Sequence, residues 1–201
     1  MVINKIMDLI FENSRIFDKV RDLIHKNFIE QRNLISKNFN KNKKTLDFGC
    51  GIGQFSNLFN PSFYTGVDTD HKYINFCNKN RQGKFLKINF SPPYPLKKNT
   101  FDQIMMSLMI HHLDDKTFKR ITNELHTLLS SSGNLMIIDH LTISKQPSLF
   151  CKLLVFLDRG KHFRNKEPVI NLLKDKYDLK KSIMFKNGPY LDYLLIFKKN
   201  T

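Results

Sequence analysis

Apolar and polar residues follow one another along the chain in an order that predicts alternating strands and helices. From Ile16 to Phe39 apolar residues recur at helical spacing, which predicts an amphipathic helix or helix pair. Thr45 to Phe48 is short and apolar enough for a buried strand, and glycines and a helical-looking run, Gln54 to Phe59, follow it. The same order is predicted for Phe63 to Val67, a strand, before His71 to Lys79, a helix.

Further strands are predicted at Lys84 to Ile88, Phe101 to Ser107 and Asn134 to Asp139. A helix near Lys116 to Leu129 separates the last two strands, and Ser130 to Gly133 reads as the turn that ends this helix. Strands that alternate with helices imply a parallel sheet covered by helices on both faces. In such sheets, ligands bind at the carboxyl ends of the strands.

The pattern changes after residue 140. Helices are predicted near Pro147 to Leu157 and Pro168 to Lys176, and two strand-like runs, Lys180 to Phe185 and Tyr190 to Phe197, then read as an antiparallel hairpin at one sheet edge. The prediction is therefore an α/β fold, Rossmann-like and doubly wound. Its seven-stranded sheet is mostly parallel and has an antiparallel C-terminal hairpin strand.

Composition narrows the class of protein. The 201 residues suggest one domain, and 41% hydrophobic residues match an ordinary globular chain. No apolar run is long enough to cross a bilayer, and the first residues lack the apolar stretch of a signal peptide. Cys50, Cys77 and Cys151 are widely spaced, which indicates neither a disulfide framework nor a structural zinc, so no metal is predicted. A cytoplasmic protein is expected, and its oligomeric state stays open.

The net charge of +15 leaves two interpretations open. Residues 141–201 alone hold 13 Lys and Arg against 5 Asp and Glu, and such a surface can bind nucleic acid through counterion release. The chain also lacks Ala and Trp and is rich in the residues of AT-rich codons, so Lys can accumulate at solvated positions without a polyanionic partner. We favour the solvated surface.

A glycine-rich run follows the first predicted strand. Asp47-Phe48-Gly49-Cys50-Gly51-Ile52-Gly53 lets the backbone turn tightly and approach a ligand, and Asp68 ends the next strand, where a carboxylate can accept both hydroxyls of a ribose. A dinucleotide site prefers its third glycine where Gln54 stands. From about Thr45 to His140 the chain resembles the class I S-adenosylmethionine-dependent methyltransferases.

The resemblance implies a cofactor and the residues that bind it. Asp47, Gly49, Cys50, Gly51 and Gly53 match the segment that holds the methionine part of S-adenosyl-L-methionine. Asp68 matches the acid that binds the ribose, and Thr69, Asn89 and Phe90 would lie at the adenine. Asn89 stands where the family usually has Asp. Ser107 and Leu108 would follow the fourth strand towards the cofactor.

We expect a single domain that consists of four parts. Residues 1–44 form an N-terminal helical cap, and residues 45–140 form the cofactor-binding core. Residues 141–178 form a helical insert on the substrate side, and residues 179–201 form the C-terminal hairpin.

A second motif suggests a different class of substrate. Ser91-Pro92-Pro93-Tyr94 has the form of a motif found in methyltransferases that act on exocyclic amines of bases. That motif must follow the fourth strand, whereas this one precedes it. We interpret it as a Pro-rich connection with a partly buried Tyr94.

Histidines lie where a catalytic base would be expected. His111 and His112 follow the fourth strand, and His140 follows the fifth. An imidazole titrates near pH 6.5 and suits a general base, which is needed when the acceptor must lose a proton. Adjacent residues rarely point the same way, so one of His111 and His112 is expected to reach the substrate, and His111 is favoured. Packing against the following helix or capping it explains His111 and His112 equally well, and for His140 a structural role is favoured.

The charged stretch from Asp158 to Arg164 interrupts the helical insert. Arg159 or Arg164 would clamp a carboxylate or phosphate of the substrate, or alternatively pair with Asp158 at a helix end. The predicted function is methyl transfer to a small-molecule acceptor, amphiphilic or acidic, by in-line displacement. The alternatives are an RNA or protein methyltransferase, and a noncatalytic protein that binds the cofactor or a partner.

Overall fold

The computed structural model describes residues 28–157 and 160–200. The predicted helix from Ile16 to Phe39 therefore lies partly outside the described residues. In chain order the helices and strands are α1 (Ile29–Asn38), β1 (Thr45–Phe48), β2 (Tyr64–Asp68), α2 (His71–Asn80), β3 (Lys84–Lys87), β4 (Phe101–Ser107), α3 (Asp115–Leu128), β5 (Leu129–His140), α4 (Leu149–Leu157), α5 (Lys166–Leu173), β6 (Tyr177–Asn187) and β7 (Tyr190–Lys199).

Seven strands form one sheet in the order β3-β2-β1-β4-β5-β7-β6. β1 is parallel to β2 and β4, β3 is parallel to β2, and β5 is parallel to β4. β7 is antiparallel to both β5 and β6. The predicted mostly parallel sheet with an antiparallel hairpin is confirmed. We call the side where β1, β2, β4 and β5 end the carboxyl edge of the sheet.

Helices cover both faces of this sheet, as the strand and helix order predicts. On one face, α3 and α5 pack through Phe118, Leu125 and Val169 onto side chains of β1, β4 and β5. On the other face, α1 and α2 contribute Ile35 and Ile74 to a second buried cluster. The strands are thus enclosed between two apolar layers, and their ends at the carboxyl edge carry the polar residues.

Local sequence explains where several elements begin. Asp70 caps α2 by accepting a hydrogen bond from the backbone N–H of Lys72 at 2.7 Å, and Asp114 caps α3 by accepting from the N–H of Thr117 at 2.7 Å. β1 and β4 have the predicted bounds, because each is a short, mostly buried segment whose apolar residues pack in the core.

Two predicted elements are wrong. Gln54 to Phe59 is not a helix but a series of turns with a short 3-10 helix, Ser56–Leu58, because Gly53 and Asn60-Pro61 leave too few residues between them for a stable α-helix. Ser130 to Gly133 is not a turn but part of β5. Leu129 pairs with Phe101 and Asn134 pairs with Gln103, so the serines and glycine form an irregular bulge within the strand.

The terminal hairpin is longer than predicted. β6 begins at Tyr177, and its ladder with β7 continues to the pair Asn187 and Tyr190, which leaves Gly188-Pro189 as the turn. The sequence underestimates the length of β6, because most residues of this edge strand are exposed and its first residues have no continuous apolar pattern. The hairpin brings residues of β6 and β7 to the carboxyl edge.

Candidate active site

The connection after β1 turns tightly at the carboxyl edge. Gly49, Gly51 and Gly53 have φ values of 76°, 52° and 68°, a left-handed region that glycine enters without strain. The backbone N–H groups of Gly49 and Cys50 both donate to the carbonyl of Val67 on β2, at 2.9 and 3.0 Å. The glycine loop is therefore fixed to the neighbouring strand, and its backbone geometry requires the glycines that the sequence singled out.

The glycine loop is also closely packed. A Cβ added at Gly49 would lie 3.1 Å from Cγ of Met109, and a Cβ added at Gly53 would lie 3.1 Å from a ring carbon of Phe85. Larger residues at either position would displace these side chains in addition to straining the backbone. The packing around the loop therefore favours glycine at both positions.

Asp68 lies at the end of β2 and is joined to the glycine loop. Its Oδ2 atom accepts the backbone N–H of Gly51 at 2.8 Å, and its Oδ1 atom accepts the N–H of Asp70 at 2.9 Å. Burial raises the pKa of Asp68 above its ordinary value, although these backbone hydrogen bonds act to lower it. A carboxylate has about four lone-pair sites, so capacity remains for hydroxyl donors.

Thr69, Asn89 and Phe90 are exposed beside Asp68 at the ends of β2 and β3. The N–H of Ile88 donates to the carbonyl of Asp68 at 2.9 Å, which keeps the chain after β3 next to the end of β2. Phe90 is 53% exposed, which is unusual for a large aromatic side chain. The structure thus brings these three predicted residues next to the end of β2.

Two predicted residues point into the protein. Oδ2 of Asp47 accepts a hydrogen bond from the hydroxyl of Tyr64 at 2.6 Å, and burial raises the pKa of Asp47 to about 7. The Cys50 side chain is buried below the loop. These side chains support the loop from inside, while their backbone atoms belong to the loop itself.

The end of β4 carries Ser107 and Leu108. The Ser107 hydroxyl accepts a hydrogen bond from Nε2 of Gln31 on α1 at 2.5 Å. Leu108 has a φ of 51°, and its N–H donates to the carbonyl of Ile138 at 2.8 Å. A bulky residue in this region is strained by about 1 to 3 kcal/mol, and such strain concentrates at functional sites. Leu108 thus holds a strained backbone conformation at the carboxyl edge.

His111 is joined to Asp139, the penultimate residue of β5. Nδ1 of His111 lies 2.5 Å from Oδ1 of Asp139, and the backbone N–H of His111 donates to Oδ2 at 3.0 Å. Both side chains are buried. Burial alone would raise the pKa of Asp139, but attraction to His111, the hydrogen bond from it and attraction to His140 outweigh burial, so the pKa lies below its ordinary value.

The segment after α4 covers His111. The ring of Phe163 stacks on the imidazole with centroids 4.9 Å apart, and the N–H of His162 donates to the carbonyl of His111 at 2.9 Å. His112, whose ring centroid lies 4.2 Å from that of His111, is exposed. The two adjacent histidines thus differ in environment, since His111 is buried and His112 is exposed.

A second pair of a histidine and an aspartate lies beside the pair of His111 and Asp139. Nδ1 of His140 lies 2.6 Å from Oδ1 of Asp192 on β7, and Nδ2 of Asn187 donates to Oδ2 of Asp192 at 2.8 Å and to Oε1 of Gln31 at 3.2 Å. Burial lowers the pKa of His140, but attraction to Asp192 and the hydrogen bond with it raise the pKa above the ordinary value. Through Gln31 this buried network reaches Ser107.

Sequence reasoning missed four of these residues, Gln31, Asp139, Asn187 and Asp192. Asp139 had a usable signal, because it is an acid at the end of a predicted parallel strand. Asp192 and Asn187 lie in the hairpin, and Gln31 lies on a helix, so no local pattern marks them. Only the fold brings them to the carboxyl edge.

Arg164 is placed differently from the prediction. Its guanidinium donates from Nε and Nη2 to Oδ1 of Asp115, at 2.8 and 2.6 Å. Its other donors go to the carbonyls of Ile110, Leu113 and His162. All five N–H donors are engaged and the residue is 8% exposed, so it is better explained as a structural cross-link than as the predicted substrate clamp. Arg159 and the alternative partner Asp158 lie outside the described residues.

Tyr94 of the Pro-rich connection packs in the core. Its ring lies 5.1 Å from that of Phe48, and its side chain is 5% exposed. Burial raises its pKa to about 12. These contacts agree with the interpretation of Ser91 to Tyr94 as a connection.

Within residues 28–157 and 160–200, no three His, Cys, Asp or Glu side chains are arranged to hold a metal ion. None of the helices in the same residues is long and apolar enough to span a bilayer.

Comparison with known proteins agrees with this geometry. Residues 13–172 match the methyltransferase domain family. This match covers most of the chain, so the protein belongs to that family and is a class I S-adenosylmethionine-dependent methyltransferase. No curated protein matches the sequence.

Solved structures show the same fold at low sequence identity. The chain is similar to the PH0226 protein from Pyrococcus horikoshii, with a TM-score of 0.68, 18% identity, and coverage of 90% of this chain and 91% of that one. It is also similar to magnesium protoporphyrin IX methyltransferase from Synechocystis, with a TM-score of 0.65, 14% identity, and coverage of 88% and 83%. A third similar structure is geranyl diphosphate methyltransferase, with a TM-score of 0.66, 12% identity, and coverage of 85% of each chain.

The residues at the carboxyl edge fit S-adenosylmethionine as the cofactor. The glycine loop turns at positive φ directly after the central strand, and the partly buried carboxylate of Asp68 lies next to it. The exposed side chains of Thr69, Asn89 and Phe90 lie beyond Asp68.

Proposed function

We propose that the enzyme methylates a small-molecule acceptor bound next to the glycine loop at the carboxyl edge. The buried pair of His111 and Asp139 carries this proposal, because it lies at the ends of β4 and β5 beneath Phe163. A reacting group enclosed in this way suits a compact acceptor better than a nucleic-acid or protein surface. Two of the similar structures are, by name, methyltransferases of magnesium protoporphyrin IX and of geranyl diphosphate, both small molecules.

For the cofactor, we assign the predicted residues to three parts of the site. The backbone of Gly49, Cys50, Gly51 and Gly53 binds the methionine part, with Asp47 supporting the loop from inside. The Asp68 carboxylate accepts hydrogen bonds from the ribose hydroxyls. Thr69, Asn89 and Phe90 line the adenine, and Ser107 and Leu108 close the site at the end of β4. When bound, S-adenosylmethionine supplies an electrophilic methyl group whose transfer depends mainly on alignment.

We assign His111 as the general base, with Asp139 as its positioning residue. When Nδ1–H donates to the Asp139 carboxylate, the basic lone pair of the neutral ring resides on Nε2. Asp139 also accepts the backbone N–H groups of His111 and His140, so the carboxylate is fixed while it orients the ring. This arrangement stabilises the imidazolium that forms when the ring takes a proton from the acceptor.

The net charge of +15 favours a second candidate, transfer to RNA. This candidate requires that the basic residues outside the core act together as a polyanion site. It predicts methyl incorporation into RNA, with salt-sensitive binding of that RNA to the protein.

The acceptor class is tested with methyl-labelled S-adenosylmethionine and cell extract separated into small-molecule, RNA and protein fractions. Each fraction is incubated with the full-length protein or with the Asp68→Ala variant as a control deficient in cofactor binding. We expect label in the small-molecule fraction with the unaltered protein and little with Asp68→Ala. Label confined to RNA or protein would replace the proposed acceptor class, and no label in any fraction would favour a noncatalytic protein.

A further inference from the structure

The helix α4 presents an apolar face to solvent. Leu149, Phe150, Leu153 and Phe156 are 83%, 62%, 52% and 72% exposed. We call these four residues the exposed apolar face. Leu149 and Phe150 are adjacent, and Leu153 and Phe156 follow at intervals of three or four residues, so the four side chains lie on neighbouring turns of one side of the helix. Contiguous exposed apolar side chains of this size mark an interaction surface on a folded protein.

The opposite side of α4 is anchored to the rest of the molecule. Cys151 and Val155 are buried, and Sγ of Cys151 donates to the carbonyl of Pro189 in the hairpin turn at 2.7 Å. The helix therefore has a packed side and an exposed side, both apolar. Because the packed side already contributes to the fold, the exposed face needs another explanation.

The charge of the residues around α4 indicates which kind of partner binds the exposed apolar face. Residues 141–166 hold six Lys and Arg against a single acid, Asp158. Lys145 and Lys161 are exposed on the two flanks of the helix, and Lys152 lies on the helix itself. Leu and Phe side chains surrounded by cations are the combination that binds the boundary between the anionic headgroups and the acyl chains of a bilayer.

A second copy of the chain fits this surface less well. A symmetric dimer through the exposed apolar face would place Lys145, Lys152 and Lys161 of one copy near the same residues of the other, and like charges at an interface are unfavourable. An anionic membrane instead attracts every one of these cations.

We propose that α4 and its flanking lysines form a docking surface for an anionic membrane. The exposed apolar face enters the headgroup boundary, and Lys145, Lys152 and Lys161 contact the lipid phosphates. A helix of nine residues is too short to cross the bilayer, so α4 lies in the interface. The segment that follows α4 covers His111, so docking brings the candidate active site next to the membrane.

The test measures flotation of the full-length protein with vesicles, without cofactor or acceptor. One set of vesicles contains equal parts phosphatidylglycerol and phosphatidylcholine, and the other contains phosphatidylcholine alone. We expect binding to the anionic set, weakened when salt rises from about 0.05 M to about 0.5 M. We expect Phe150→Ser combined with Phe156→Ser, and separately Lys145→Gln combined with Lys161→Gln, to lower the partition coefficient by about tenfold or more.

The control variant is Leu179→Ser combined with Met184→Ser. These side chains are 38% and 56% exposed on β6, so the control removes exposed apolar surface elsewhere and should bind like the unaltered protein. Absence of binding to anionic vesicles, or an equal loss in the control, would overturn the proposal. A dimer seen by light scattering that Phe150→Ser with Phe156→Ser dissociates would assign the face to a second copy instead. Because vesicle binding requires no methyl transfer, its failure leaves the proposed activity untouched.

Discussion

His111 and Asp139 are 28 residues apart in the chain, yet Nδ1 of the histidine lies 2.5 Å from Oδ1 of the aspartate. The contact forms because β4 and β5 are parallel neighbours and end at the same edge of the sheet. The same carboxylate accepts the backbone N–H of His140 at 2.7 Å, which fixes the end of β5. One buried acid thus connects the geometry of two strand ends to the orientation of an imidazole.

Replacing His111 tests the assigned base. We expect His111→Gln to lower turnover by roughly 10²- to 10⁴-fold, because the proton of the acceptor then lacks a positioned base. Affinity for S-adenosylhomocysteine should change little. The measurements are steady-state kinetics over a range of pH and calorimetric binding. Unchanged turnover in His111→Gln would show that His111 is not the general base. Alignment of the reactants would then be the source of catalysis.

Replacing Asp68 tests the assigned ribose contact. We expect Asp68→Ala to weaken binding of S-adenosylhomocysteine by about 1.5 to 3 kcal/mol, the usual range for hydrogen bonds to a charged group. The matched control is Asp70→Ala, which removes a neighbouring carboxylate that caps α2. Titration calorimetry compares the two variants. Equal affinities would show that Asp68 does not contact the cofactor.

The structural role of Arg164 predicts a loss of stability. We expect Arg164→Met to lower the free energy of unfolding by about 3 kcal/mol or more, because several charged hydrogen bonds are lost together and three backbone carbonyls lose their partner. The control, Lys119→Met, removes an exposed ion pair with Asp175 at 3.6 Å and should change stability by less than about 1 kcal/mol. Chemical denaturation measures both variants. A higher Michaelis constant for the acceptor with unaltered stability would restore the substrate clamp.

The buried carboxyl of Asp47 predicts a pH-dependent difference in stability. Its pKa is raised by burial to about 7 in the folded protein, whereas aspartate in an unfolded chain titrates near about 3.9. Between these values the folded state holds a proton that the unfolded state has lost, so this group destabilises the fold as pH rises from about 4 to about 7.

Asp47→Asn has no such proton and still offers an oxygen to the Tyr64 hydroxyl. Relative to the unaltered protein, the variant should gain about 4 kcal/mol of unfolding free energy between pH values near about 4 and about 8. Urea denaturation across this range measures the difference. A constant difference would contradict a buried carboxyl with a raised pKa.

The sequence predicts the fold better than the site, and the reason is physical. β1 and β4 are short segments whose apolar residues are buried, so their bounds follow from local composition, and the glycine loop follows from residues that must adopt positive φ. The bulge in β5 depends on pairing with β4 and has no local signal. Likewise, the contact of His140 with Asp192 spans 52 positions and exists only because β7 lies beside β5.

Arg164 is a residue whose role could not be predicted from local sequence. A charged stretch between helices suggests a surface site, but the partners that engage this arginine lie about 50 positions earlier, at Ile110, Leu113 and Asp115. The local charge predicted a functional role for Arg164. Only the tertiary packing distinguishes a structural cross-link from a contact with the substrate.

The most direct measurement is titration calorimetry of the unaltered, folded protein with S-adenosylhomocysteine, with NAD as the comparison ligand. The glycine loop and Asp68 predict saturable binding of one S-adenosylhomocysteine per chain and much weaker binding of NAD. No binding of S-adenosylhomocysteine to the folded protein, or tighter binding of NAD, would contradict the assignment of the carboxyl edge as the cofactor site.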